Sequence, residues 1–333
     1  MEKQSILKRV SKTKVFQLLL IWIALVIIFT VWAILIGEKF LSIETLLSIG
    51  DLMIVSAFLG VGAGFLMVSG NMDLSASAIG AFGCVFFAAA LKYWGWNTYL
   101  AMVVALILCA IFGLFNGLLV NEFRCPAFIA TMSMAFVAKG VMQWVSVSPE
   151  TGVASTVGYY NDITQYIANG TIFGVKTMFL LAIVVFIVYG LILSKSAFGM
   201  KMYLVGGNPQ AANLTGINPK KMIYILFANS GFLAGIAGII YMGRASQGDL
   251  NALSTSQFTG LTAAILGGIS FGGGNGNMAG VFVGLLILNT FSKGMVIVRA
   301  SSYWTTVLTG VLLLVALTID MYTAKKARKA LMK

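Results

Sequence analysis

Apolar residues run along this chain in blocks of roughly 20, separated by short polar breaks. A block of that length matches the hydrocarbon thickness of a bilayer, so each predicts a membrane-crossing helix. The blocks fall at approximately residues 15–37, 50–70, 75–91, 98–120, 126–145, 177–193, 222–242, 256–271, 278–296 and 303–319, about ten in all. Those starting near Ser75 and Ser256 are short or broken by glycine, which predicts partial or re-entrant segments there. The fold class expected is an all-α integral membrane protein, with residues 1–333 forming one transmembrane domain.

Two polar stretches between blocks are long enough to do more than turn. The first, Ser146 to Lys176, holds Pro149, Glu150, Tyr159, Tyr160 and Asp162 and predicts a short surface helix. The second, Ser194 to Lys221, is the most polar internal stretch and predicts a helix-turn-helix lying on one membrane face. Within it Asn208 reads as an N-cap, Pro209 as the first helical residue, Gln210 to Leu214 as helix and Gly216 as its stop. A short helix held at the surface suits contact with a partner protein, and a plain connector is the alternative.

Charge supports this layout. With the N-terminus inside, the inner segments hold fifteen of the 22 Lys and Arg residues. They include Lys3, Lys8, Arg9, Lys12 and Lys14 at the start and Lys325, Lys326, Arg328, Lys329 and Lys333 at the end. The outer segments hold six (Lys39, Lys92, Lys176, Arg244, Lys293, Arg299), and Lys139 falls inside a block. Both termini inside requires an even number of crossings, which ten satisfies. Tyr93, Trp94 and Trp96, and Tyr303 and Trp304, fall at expected interfaces.

Composition sharpens the class: 59% of residues are hydrophobic, 10% are charged and the mean hydropathy is +0.95. A soluble fold would have too few polar residues to cover its surface, which argues against a soluble enzyme, a disordered chain and a nucleic-acid partner despite the net charge of +12. The first block is longer than a signal-peptide core and lacks a small-residue cleavage site, so it is expected to stay as the first span.

Catalytic signatures are absent from the sequence. There is no GxxxxGK[ST], and with no His there is neither an HExxH metal site nor a base for a Ser or Cys nucleophile. An enzyme is not expected. Cys84, Cys109 and Cys125 form no CxxC and read as packing thiols. Self-powered carriers usually keep ionisable residues inside the bundle, and few occur here. Lys139 can snorkel to the outer face. Asp73 reads either as a helix N-cap or as part of a broken segment lining a pathway, with no evident buried partner. Among 37 glycines, pairs four apart (Gly60 and Gly64, Gly231 and Gly235, Gly280 and Gly284) predict close helix approach. The run Gly272 to Asn277 reads as a tight turn, since it lacks the Lys of a phosphate loop. Asn116, Thr131, Ser133, Gln143, Asn229, Ser230, Thr262 and Asn289 could bond a hydroxylated solute, although most are expected to bond other helices.

Four motifs, in order, carry a family resemblance. Ser69 to Ser75, SGNMDLS, resembles the GG-x-DLS signature of the membrane permeases of ribose-type sugar ABC importers. Asn116 to Val120 followed by Pro126 to Thr131 is similar to that family's NGLLV and PFIATL stretch. Val205 to Ile217 resembles its G-x-N-x-x-AA-x-x-SGI loop, and Gly267 to Gly276 its GG-x-S-x-GG-x-G turn. Departures are Ala76-Ser77-Ala78 after DLS, Ala127 in place of a second proline, and Lys139-Gly140 where Arg-Gly is common.

The resemblance implies a type II-like ABC importer permease that pairs with a second copy or a paralogue. It also implies cytoplasmic ATPase subunits, which hold the ATP and Mg, and an extracytoplasmic solute-binding protein. No cofactor is expected in this chain. Residues 194–221 would be the ATPase-coupling loop, with Gly207, Asn208, Ala211, Ala212 and Gly216 as its key residues. Pathway candidates are Asp73, Phe128, Thr131, Asn229 and Phe271. The expected cargo is a monosaccharide or related polyhydroxyl solute; a nucleoside or branched-chain amino acid, or a self-powered carrier, are the alternatives. The expected location is a bacterial inner membrane, in contact with lipid, with both termini cytoplasmic.

Overall fold

The computed structural model describes residues 14–331 except residue 257. Lys3, Lys8, Arg9, Lys12 and Lys333 lie outside the described residues.

Helices fall where the apolar blocks predict them: α1 (Lys14–Ile36), α2 (Ile43–Val68), α3 (Ala76–Lys92), α4 (Thr98–Asn121) and α5 (Ala127–Val145). A surface excursion then follows, with β1 (Val157–Gly158), α6 (Asp162–Asn169), β2 (Thr171–Ile172) and β3 (Val175–Lys176). The chain continues through α7 (Thr177–Lys195), α8 (Ala197–Gly207), α9 (Pro209–Leu214), α10 (Pro219–Ala245), β4 (Gln247–Gly248), α11 (Thr259–Leu266), α12 (Met278–Ile297) and α13 (Ser302–Leu331). Polar residues start many of them. The side chains of Ser42, Asn97, Asn161, Asn208, Asn218 and Asn277 each accept a hydrogen bond from a backbone N–H in the first turn of the following helix.

Seven helices among the described residues are long and apolar enough to cross a membrane: α1, α2, α4, α5, α7, α10 and α12, the first over Trp22–Lys39. The block at 256–271 is a partial segment, as its glycines predict. Its helix, α11, has eight residues, about 12 Å at 1.5 Å per residue, less than half a hydrocarbon core. It stops because Gly268 takes φ +84° and Ile269 N–H returns to Ala264 O at 3.0 Å, while Gly267 packs on the Gly280 backbone of α12, where a Cβ would lie 2.6 Å from the Val281 nitrogen. The α3 helix is also short, at 17 residues, and follows the non-helical stretch 69–75.

The core sits around α10, which packs along α4, α3 and α2. The predicted close approaches occur. Gly231 lies on the Cys109 backbone of α4, where even a methyl would overlap the carbonyl, and Gly284 lies likewise on Ala263 of α11. Cys84 and Cys109 are buried free thiols, as expected, and Cys125 is half-buried. The predicted surface helix is α6. It caps the far end of α10, where a Cβ on Gly243 would meet Ala168 at 2.8 Å, while β1 pairs antiparallel with β4 beside it.

Candidate functional site

The stretch between α2 and α3 carries Asp73 into the interior. Ser75, not Asp73, is the N-cap residue of α3, and its own side chain makes no capping bond. Asp73 closes the turn instead: its Oδ1 accepts from the Ser75 backbone N–H at 2.8 Å and from the Ser75 hydroxyl at 2.5 Å. Its Oδ2 accepts from the Ser230 hydroxyl of α10 at 2.7 Å, and Asn116 Nδ2 of α4 donates to Ser75 Oγ at 2.8 Å. All four residues are buried. The reading that Asp73 has no buried partner is therefore corrected. One carboxylate beside a helix N-terminus, where negative charge is favoured, ties α3, α4 and α10 together at the break in the chain.

The other pathway candidates fall on separate elements. Asn229 sits next to Ser230 but accepts from the Tyr189 hydroxyl of α7 at 2.5 Å, and its Nδ2 is buried without a partner. Thr131 is fully buried and returns its hydroxyl to Ala127 O of its own helix at 2.7 Å. Phe128, on the same helix, is exposed, and Phe271 is partly exposed in the glycine-rich turn after α11. Asn229 adjoins Ser230 in sequence, but none of these four side chains hydrogen-bonds to the Asp73 network. Ser75, Tyr189 and the Ser230 pairing went unread as site features in the sequence.

At the end of the bundle holding α9, the polar loop folds as its residues predict. Asn208 caps α9, accepting from Ala211 N–H at 3.0 Å, and Pro209 is its first residue. Gly216 takes φ +83° and Ile217 N–H returns to Ala212 O at 3.1 Å, which closes the helix. Ala212 is buried, whereas Gly207, Asn208, Ala211 and Gly216 are exposed and Leu214 stands 88% exposed at the tip. A second Asn-Pro cap, Asn218-Pro219, starts α10, an identical signal that the sequence reading passed over.

A glycine junction joins this loop to both breaks in the helical crossings. Gly274 N–H donates to Val68 O at the end of α2 at 2.8 Å, and Tyr203 Oη of α8 donates to Gly276 O at 2.6 Å. Gly206 of α8 lies so close that a Cβ would overlap the Val68 carbonyl oxygen and come within 2.7 Å of Gly274 N. Gly273, at φ +77°, packs against Gly70, with a Cβ only 2.7 Å from the Gly70 backbone. The run Gly272 to Asn277 is therefore a tight turn, as read from its missing Lys. It physically connects α8 to the segment bearing Asp73.

Salt bridges mark both ends. Near α9, Lys220 Nζ meets Glu122 Oε2 at 2.7 Å, and the Lys220 ammonium holds the exposed Glu122 carboxyl below its ordinary value. At the opposite end Arg244 meets Asp51 Oδ2 at 2.7 Å and donates to Asp51 O at 2.9 Å, pinning α10 to α2. No group of three or more potential metal ligands occurs among the described residues.

Residues 45–317 match the family described as branched-chain amino acid transport system / permease component. The ribose import permease protein RbsC of Escherichia coli K12 is 31% identical over 287 residues, covering 85% of this chain and 88% of that protein. The ribose import permease RbsC of Bacillus subtilis is 27% identical over 314 residues, 94% of this chain and 95% of its own. The xylose transport system permease protein XylH of Haemophilus influenzae is 27% identical over 365 residues, 93% and 97%.

Proposed function

The chain belongs to the permease family of the branched-chain amino acid transport systems, and from that premise we propose that it is the transmembrane subunit of an ATP-driven importer of a monosaccharide or related polyhydroxyl solute. The observation that carries the cargo is that relatives matched along nearly the whole chain are named for ribose, xylose and fructose. ATP with its Mg would be bound and hydrolysed on separate ATPase subunits, and a binding protein outside the cell would deliver the solute to a pathway between this permease and a second copy or paralogue.

The protein is a multi-pass protein of the inner membrane. In the proposed orientation the end bearing α9 faces the cytoplasm, which puts Arg124, Lys195, Lys201, Lys220 and Lys221 on that side. With the seven long helices, the broken stretches 69–92 and 247–277 and the helix α13 would each complete a crossing, giving ten and leaving both termini inside.

In the mechanism that follows, α9 is the element held by the ATPase. ATP-driven closure pushes on it, and because Gly206 and Tyr203 of the adjoining α8 are seated on the glycine junction, the push reaches Val68 and the Asp73 segment without flexible linkers. The Asp73 carboxylate keeps α3, α4 and α10 moving as a unit. The test is ATP hydrolysis by the complex of this chain and its ATPase in lipid. Stimulation by sugar-loaded, and not empty, binding protein is the expected result; no stimulation by any sugar-loaded form refutes the reading.

A further inference from the structure

Between α10 and α11 the chain descends into the bundle without a regular helix. Gly248 of β4 rests on α3 near its outer end, where a Cβ would lie 2.8 Å from that of Ala88. Twelve residues later Gly260 rests on α2, where a Cβ would lie 2.9 Å from the Gly60 nitrogen. Gly60 is seventeen residues in from Ile43 at the outer end of α2, so the chain has by then reached a depth of about 25 Å along that helix. In between, the described residues form turns and a single 3₁₀ turn, Ser254–Ser256.

Leu253 marks the depth of the middle of this stretch. Its side chain is buried against Gly80, where a Cβ would lie 2.8 Å from Leu253 Cδ2, and Gly80 is twelve residues, about 18 Å, below Lys92 at the outer end of α3. Leu253 also takes φ +60°, a left-handed conformation that bulky residues rarely adopt and that surrounding structure must enforce. With that turn Ala252 and Leu253 are buried, while Asn251 and Ser254 on either side of them are exposed. Neither exposed side chain makes a hydrogen bond with another described residue. Asp249 holds the turn, its carboxylate accepting from Asn251 N–H at 2.9 Å and from the Tyr241 hydroxyl at 3.3 Å.

Irregular backbone is not found against lipid tails, because its N–H and C=O groups would have nothing to bond; at membrane depth it is sealed by protein or wetted by a water-filled cavity. The exposed residues of α4 and α7, such as Ile107 and Ile187, are apolar and suit lipid. Asn251 and Ser254 do not, and their side chains are too short to reach a headgroup from this depth. Two unpartnered polar side chains favour water over a sealing protein surface. Further in, on α11, Thr262 Oγ1 is buried without a partner, a group that a nearby water would satisfy.

We propose that the exposed edge of residues 249–254 faces the water-filled solute pathway, and that Asn251 and Ser254 exchange hydrogen bonds with sugar hydroxyls as the solute passes the middle of the membrane. Both side chains donate and accept, as a hydroxylated solute requires, and backbone carbonyls released from helix add further acceptors. The inference rests on the importer reading and adds a place where this chain meets the cargo.

The test uses the assembled complex in membrane vesicles, with Cys125→Ser removing the one thiol that is not buried. Asn251→Cys and Ser254→Cys are compared with Ile107→Cys and Ile187→Cys for reaction with a membrane-impermeant maleimide present on both sides. Because apolar surroundings suppress the reactive thiolate, positions 251 and 254 should react about tenfold or more faster than the two controls. Rates equal to the controls, whether lipid or a second copy covers the edge, overturn the proposal. In parallel, Asn251→Ala and Ser254→Ala should each slow sugar uptake about threefold to tenfold, the loss of one or two hydrogen bonds, at unchanged membrane abundance. Unaltered uptake in both variants also overturns it. Failure of the importer reading looks different, because ATP-driven uptake would then be missing from the unsubstituted complex.

Discussion

Replacing Gly206 by alanine puts a methyl into the glycine junction, and the outcome measures how rigidly that junction couples α8 to the rest of the molecule. The new Cβ would overlap Val68 O and lie 2.7 Å from Gly274 N, about 0.7 Å inside an ordinary contact of 3.4 Å. Both obstacles are backbone, on two different segments, and they already hydrogen-bond each other at 2.8 Å. No rotamer change can relieve the clash. Either α8 withdraws, straining the Tyr203 bond to Gly276 O, or the turn separates from α2 and loses the Gly274 bond. Overpacking of this kind costs about 1–3 kcal/mol, and a lost hydrogen bond adds about 1, so the variant should be about 3 kcal/mol less stable. The neighbouring residue supplies the control: a Cβ on Gly207 meets nothing within 4 Å, so Gly207→Ala should change stability by less than about 1 kcal/mol. Unfolding of the purified protein in one detergent, with both variants beside the natural sequence, gives the comparison. If Gly206→Ala unfolds with the Gly207→Ala variant and the natural protein, the junction yields easily, and the proposed transmission from α9 to the Asp73 segment loses its mechanical basis.

Three further outcomes follow from the site. A double-mutant cycle over Asp73→Asn and Ser230→Ala should return a coupling of about 1.5–3 kcal/mol, the range for a hydrogen bond to a charged group; additive effects would remove the clasp between α3 and α10. Ala211→Glu, at an exposed position, should leave stability within about 0.5 kcal/mol yet weaken ATPase copurification, whereas Ala212→Glu buries a charge and should impair folding itself. Normal copurification and uptake in Ala211→Glu would show that α9 is a connector. The Glu122 carboxyl is lowered by Lys220, so its contribution is present above the ordinary glutamate range and is lost as pH falls through the lowered value. The stability difference between the natural protein and Glu122→Gln should therefore close in acid and in high salt; a difference that persists in acid contradicts this pairing.

Much of the fold was readable because bilayer thickness fixes block length. A helix formed at each predicted apolar block, and Asn208-Pro209 with Gly216 announced α9 through local capping chemistry that needs no tertiary partner. What failed depended on distant contacts. The glycines of the block at 256–271 announced a partial segment, but not which of them would take the left-handed turn that ends α11, which falls at Gly268. The bond from Ser230 to Asp73 spans 157 residues and leaves no trace in local pattern. The β1–β4 pairing, two residues on each side, is likewise too short to show as alternation. For Thr131, a pathway candidate, the sequence could not show that its hydroxyl bonds the carbonyl one turn back.

Uptake into sealed proteoliposomes tests most directly whether this chain is the permease of an ATP-driven sugar importer. The vesicles would hold the chain and its ATPase, with labelled ribose, xylose or fructose carried on the binding protein outside. Accumulation of at least one sugar is expected only when chain, ATPase, ATP and loaded binding protein are all present. Sugar entry through the chain alone, without ATPase or ATP, would contradict it.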